Sequence, residues 1–186
     1  QKGTGITPAE IRLQLTEAAG IDLARAFLYL KIATQVGVDR IEVDRAGPSY
    51  AIDTVKALRE RFGESASLTW LMGADSLITL PSWSSWEKLS QYVNFAVATR
   101  PHHDLKQQIS PEISQFLKDH QTNDAAALEK SAAGLIYIDE SLSVDLSSTE
   151  LRDQLKSSAR STIALEQIPT HTLEIITNLG LYQQSS

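Results

Sequence analysis

The run Leu146-Ser147-Ser148-Thr149-Glu150-Leu151-Arg152 carries the most chemistry per residue in this chain. Ser147 and Glu150 have the spacing of a capping box, and Leu146 and Leu151 that of a hydrophobic staple, so the run predicts a helix start. Capping alone explains its residue types. The same geometry also suits phosphate, because a helix N-terminus presents unpaired N–H groups and a partial positive charge. Hydroxyls of Ser147, Ser148 or Thr149 add donors, and Arg152, just over one turn inside, can fold back as a charged clamp. The two readings are compatible.

A second run, Gly73-Ala74-Asp75-Ser76, follows the apolar stretch Leu68–Met72. As plain structure it is a strand-to-helix turn with Asp75 as a cap. As chemistry, glycine lets a nucleotide approach the backbone, and a carboxylate can accept both hydroxyls of a ribose. Next comes Leu80-Pro81-Ser82-Trp83-Ser84-Ser85-Trp86. Tryptophans are most often core residues, yet Trp83 stands after a proline in a polar loop, where its face can stack on an aromatic ring. Trp86 opens the next apolar face and is the better core candidate. Gly47-Pro48-Ser49-Tyr50 reads as a turn with Ser49 as a cap. Arg100-Pro101 closes the run Val93–Thr99, a place where a lone arginine is commonly solvated. The histidines, His102, His103, His120 and His171, form neither a triad nor a metal pair by spacing and are read as surface residues.

These runs need elements to hold them. Thr7-Pro8-Ala9-Glu10 predicts a helix with a threonine cap, stopping at Gly20. A further helix is expected over 22–35, and Val38–Val43 reads as a short strand. Residues 1–6 read as an exposed loop. A helix over 50–62 closed by Gly63, strands at Leu68–Met72, Val93–Thr99 and Gly134–Asp139, and helices near 86–91, 111–119, 148–157 and 170–178 complete the pattern. Thr122-Asn123-Asp124 reads as a loose loop. Strands alternating with helices imply a single α/β domain with a doubly wound parallel sheet covered on both faces. Ligands of such sheets bind at the carboxyl ends of the strands.

The chain has 186 residues, 42% hydrophobic and 22% charged, with a net charge of -6 and no cysteine. An acidic balance argues against a nucleic-acid partner, although local donors and a magnesium ion still allow an anionic nucleotide. Cysteine is missing as a disulfide, thiolate or zinc ligand. No stretch reaches the ~18 apolar residues of a membrane helix; a cytoplasmic setting is expected.

Taken in order, GPSY at 47–50, GADSLITLPSW at 73–83, Arg100-Pro101 and SSTELR at 147–152 resemble the successive signatures of bacterial nicotinate-nucleotide adenylyltransferases. The likeness covers about residues 38–182, ending in Gly180-Leu181-Tyr182. It implies a Rossmann-like nucleotidyltransferase fold and transfer of the adenylyl group of ATP to nicotinic acid mononucleotide, with Mg²⁺ accompanying ATP and no dedicated metal-ligand residues. Gly73 and Asp75 would bind the adenylate ribose, and Arg100 would lie beside the adenine nucleotide. Ser147, Ser148, Thr149 and Arg152 would hold the phosphates, with Arg152 as the catalytic cation. Trp83 would stack on the pyridine ring, and Tyr50, Ala51 and Ser84 would line the nicotinate side. Ala51 and Ser84 depart from the family's usual threonine and aromatic, which is tolerable where the contact is a backbone N–H. The family also opens with a strand and a GTFDPxHxGH loop whose histidines meet ATP. No such run occurs here, so roughly 40–70 residues are expected before Gln1, the span of a βα unit. Alternatives are another nucleotidyltransferase of the superfamily or a non-catalytic nucleotide-binding paralogue.

Overall fold

A computed structural model describes residues 7–99, 105–141, 148–156 and 167–182. The loop expected at 1–6, Arg100, Pro101, His102, His103 and Ser147 lie outside the described residues, as do the side chains of Ser148 and Thr149. In chain order the elements are helices α1 (Ala9–Tyr29) and α2 (Ala51–Phe62), strand β1 (Thr69–Gly73), helix α3 (Ala74–Ile78), strand β2 (Asn94–Ala98), helices α4 (Leu105–Gln108) and α5 (Pro111–His120), strand β3 (Gln121–Thr122), helix α6 (Ala126–Lys130), strand β4 (Ile136–Asp139), and helices α7 (Ser148–Lys156) and α8 (Thr170–Asn178). Two compact units divide the chain: residues 46–145, and residues 1–45 with 146–186.

The first of these units holds a parallel sheet in the order β1-β2-β4-β3. Its strands arise from short apolar runs bounded by turn residues, and each parallel step is made by a helical crossover. Trp70, Phe95 and Ile136 share one row, and Met72, Val97 and Ile138 another. Both rows turn toward a core built with Ile52 and Val55 of α2, Leu77 of α3, Leu80, Leu89 and Ile113. Side chains alternate along a strand, so Leu71 points the other way and stands 76% exposed. Within this unit, then, β1 is covered on one face rather than on both.

Polar bonds seal the amino ends of the strands. Arg59, near the end of α2, donates to the carbonyls of Gly63 (3.0 Å), Glu64 (3.2 Å), Ala66 (2.6 Å) and Ala132 (2.7 Å), and also to that of Tyr92. Asn94, fully buried at the start of β2, donates to Leu128 O (3.2 Å) and Ser131 O (2.8 Å) and accepts from Leu135 N (2.9 Å). Buried polar groups persist where each finds a partner.

In the second unit α1 packs against α8. Leu155, Ile168 and Ile176 form a small core with Leu15, Leu151 and Leu173 against it. The sequence expectations fail most here. Gly20 does not stop a helix: α1 runs through it as one 21-residue element. A Cβ at Gly20 would come 3.1 Å from Val38 Cγ2, so glycine serves close approach of the 36–38 segment, not termination. Val38–Val43 is not a strand. Asp39 Oδ1 accepts Ile41 N (2.9 Å) and Arg40 O accepts Val43 N (2.8 Å), which folds the segment into a turn, local bonding that competes with a ladder. Thr7 does not cap α1, whose N-cap is Pro8 without a side-chain bond; its hydroxyl instead meets Tyr182 Oη at 3.2 Å. In the sheet unit, Trp86–Gln91 is a 3₁₀ helix, and the loop expected at 122 begins as β3, paired with β4.

Candidate functional site

β1 ends at Gly73, and the chain enters α3 at once. Gly73 has φ −81° and ψ 161°, a backbone open to any residue. A Cβ placed there meets nothing within 4 Å among the described residues. Among the described residues neither backbone nor packing therefore requires glycine at this position, which lies at the carboxyl edge of a parallel sheet. Gly47 and Gly63 differ, since each has φ +87° and is explained by its turn.

Asp75 lies in the first turn of α3 and is exposed, with Gly73 rather than Asp75 at the N-cap. Its backbone oxygen accepts from Thr79 N (3.2 Å) and Thr79 Oγ1 (2.9 Å), closing the helix after little more than a turn. Leu80–Ser82 then makes a 3₁₀ turn, and Trp83 is extended. Ser85, at φ 53°, occupies the left-handed region, which turns the chain so that the two indoles meet different partners. Trp83 packs T-shaped with Trp70 (centroids 6.2 Å) and Trp86 T-shaped with Phe116 (5.4 Å). Both are half-buried against the core, so Trp83 is partly a packing residue as well; Ser84 is exposed between them.

α2 packs against the Trp86–Gln91 turn. Its N-cap falls on Tyr50, not Ser49, and the Tyr50 side chain makes no cap bond. Tyr50 O takes Asp53 N (3.1 Å) and Thr54 N (3.3 Å), whereas the amides of the first turn, beginning at Ala51, lack that side-chain cap. Arg152 stands exposed on α7, in the other unit, with Glu150 in the first turn of the same helix. Within residues 46–145 the fold thus gathers Gly73, Asp75, Trp83 and Ser84 on one continuous stretch.

The carboxyl edge includes residues that sequence reasoning passed over. Gly73, Ala98 and Asp139 fall on one row across β1, β2 and β4. Buried Thr99 donates its N–H (3.0 Å) and its hydroxyl (3.1 Å) to Asp139 O. Ser141 N donates to Asp139 Oδ1 at 2.9 Å, and the hydroxyl and amide of Ser141 hold the Asp139 carboxyl below its ordinary range. The one available signal was an ionisable residue ending an apolar strand. Asn94 gave a similar signal, as an amide inside VNFAVAT.

Two histidines are more than surface residues. His120 Nδ1 lies 2.7 Å from Gly134 O, and its ring rests 4.7 Å from that of Phe116. His171 is the second residue of α8, whose N-cap makes no side-chain bond of its own. Asp22 of α1 supplies that role from a distance, accepting His171 N (2.9 Å) and contacting Nδ1 (2.5 Å). The backbone amide of His171, then its ring, lower the Asp22 pKa. Among the described residues no three His, Asp or Glu side chains converge as metal ligands, and no helix is long and apolar enough to cross a membrane.

Residues 1–154 match the model of the cytidylyltransferase-like family. A protein of Aeromonas salmonicida named as a probable nicotinate-nucleotide adenylyltransferase is 38% identical over 146 residues, 78% of this chain and 65% of that protein. Proteins of the same name from Chromobacterium violaceum (39%, covering 69% of this chain and 59% of that one) and Legionella pneumophila (32%, covering 84% and 72%) are also similar. The chain thus spans about two thirds of the length of such relatives. Among solved structures, the nicotinic acid mononucleotide adenylyltransferase of Plasmodium falciparum, complexed with APC, aligns with TM-score 0.50 and 20% identity over 74% of this chain and 60% of that one. That likeness is one of fold: a parallel sheet flanked by helices.

Proposed function

This chain belongs to the cytidylyltransferase-like family and, within it, to the nicotinate-nucleotide adenylyltransferases, and from that premise we propose that the intact protein transfers the adenylyl group of ATP to nicotinic acid mononucleotide in the cytoplasm. The observation that carries the reading is Gly73: a glycine that no geometry among the described residues demands, at the carboxyl edge of a parallel sheet and followed by a carboxylate. A backbone that accepts close approach suits a nucleotide sugar, and in this reading the Asp75 carboxylate accepts its hydroxyls. In this reading the half-buried indole of Trp83 stacks on the pyridine ring, and Tyr50, which precedes α2, serves the nicotinate side. The N–H groups of Ala51 and Ser84 suit the nicotinate carboxylate, and a 12-residue helix whose N-cap side chain makes no cap bond favours an anion at its start.

In this reading the mononucleotide phosphate attacks the α-phosphorus of ATP in line, forming one P–O bond while the bond to pyrophosphate breaks. No protein nucleophile is needed; holding both substrates and neutralising charge supply most of the acceleration. Ser147, Ser148, Thr149 and Arg152 serve the phosphates, and Arg100 lies beside the adenine nucleotide. Mg²⁺ would accompany ATP, held by phosphate oxygens and water. When bound, the ion neutralises phosphate charge.

The direct test incubates the intact protein with ATP, nicotinic acid mononucleotide and Mg²⁺ and follows deamido-NAD and pyrophosphate. Equal formation of both supports the reading; ATP binding without product moves it to a non-catalytic nucleotide module. Loss of one charged contact to the reacting phosphates costs ~2–4 kcal/mol, so Arg152→Ala should slow turnover on the order of 30- to 1000-fold. Turnover within about threefold of the parent would remove Arg152 from the site.

A further inference from the structure

We propose that Asp139 is a specificity-determining residue of this site, reading the exocyclic amino group of the adenine ring; the inference rests on the adenylyl-transfer reading above. Asp139 ends β4 on the same cross-sheet row as Gly73, with Ala98 between them. Neighbouring parallel strands lie about 4.8 Å apart, so the backbones of Gly73 and Asp139 stand roughly two such steps apart along one edge. That separation suits a nucleoside whose sugar is held at Gly73 and Asp75 and whose base extends across β2. Ala98 between them is half-buried and small, so its own side chain does not obstruct the crossing.

The chemistry of Asp139 restricts what it can meet. An ionised carboxylate only accepts hydrogen bonds and repels phosphate. Of the groups on ATP away from the sugar, the 6-amino group of adenine is the donor that matches. Asp139 is also held ready. Thr99 fixes its carbonyl with two bonds, and Ser141 N fixes Oδ1 at 2.9 Å, so the carboxylate loses little freedom on binding. Guanine and hypoxanthine present a carbonyl oxygen at the same position, and an acceptor facing an acceptor is repelled.

The test compares ATP with inosine triphosphate, which differs from ATP at the 6-position and the adjacent ring nitrogen, by calorimetric titration of the intact protein. A hydrogen bond to a charged group implies a preference for ATP on the order of tenfold to a hundredfold. Asp139→Asn keeps an oxygen for Ser141 N and offers an amide that faces either nucleotide, so its preference should fall to within about threefold while its melting temperature stays with the parent's. Asp139→Ala should lose the preference as well. Equal affinities in the parent, an unchanged preference in Asp139→Asn, or an effect confined to mononucleotide affinity overturns the inference. Failure of the transfer reading looks different: ATP is preferred and the variant loses the preference, yet no deamido-NAD forms.

Discussion

Gly73→Ala separates folding from binding. The residue sits at φ −81°, ψ 161°, which alanine adopts without strain. Its new methyl would meet no described atom within 4 Å. At a compatible position, exchanging glycine for alanine stabilises a protein by about 0.4–1 kcal/mol, because the unfolded chain loses more freedom than the folded one. For a chain of this size that raises the melting temperature by a few degrees at most. If the sugar of ATP approaches the Gly73 backbone, the same methyl occupies the ligand's space. Overpacking of that kind costs about 1–3 kcal/mol, or roughly 5- to 150-fold in affinity. The expected variant is therefore at least as stable as the parent and a poorer binder of ATP. Thermal melts beside ATP titrations decide it. An ATP affinity within about twofold of the parent would refute the ligand approach, and a loss of more than about 1 kcal/mol in stability would refute the packing argument.

The indoles offer a second contrast. Trp83→Ala should weaken mononucleotide binding by ~1–3 kcal/mol, as base stacking does, whereas Trp86→Ala should cost about 3 kcal/mol of stability by stripping Phe116 of its T-shaped contact; titration and melting of both variants show whether the roles are reversed. Asn94→Ala strands two carbonyls and the Leu135 amide in a buried place, so denaturant unfolding should show a loss of about 2–4 kcal/mol, and a loss below about 1 kcal/mol would mean that water replaces the amide. Asp22 titrates below its ordinary value of 3.8 in the folded chain because His171 favours its ionised form. That contribution is fully present above the ordinary carboxylate pKa and is lost as pH falls through the folded value. The stability gap between parent and Asp22→Asn should therefore shrink on acidification from about pH 5 downward; a gap that is flat or widens contradicts the assignment.

Much of residues 46–145 is legible without coordinates. The runs at Leu68–Met72, Val93–Thr99 and Gly134–Asp139 become β1, β2 and β4 within a residue or two, because a buried parallel strand needs only a short apolar run and a turn at each end. The turn at Gly73 and the helix closed by Gly63 follow from local chemistry in the same way. So does the membership of Gly73, Asp75, Trp83 and Ser84 in one continuous stretch, since adjacency in sequence guarantees it.

Tertiary structure decided what depends on residues distant in the chain. Gly20 carries the statistical mark of a helix end, yet it lies inside α1 because Val38 presses against it, and a glycine required for close approach has the same letter as one required for a turn. α8 begins without a cap of its own because Asp22, about 150 residues earlier in the chain, caps it. Arg59 looks like one more charge at a helix end until the carbonyls of Tyr92 and Ala132 converge on it. Asp139 became a site residue when pairing through β2 set it on the row of Gly73. Local propensity fixes where strands and turns fall; which side chains share an edge is fixed by strand order and register, and those come from packing the whole sheet at once.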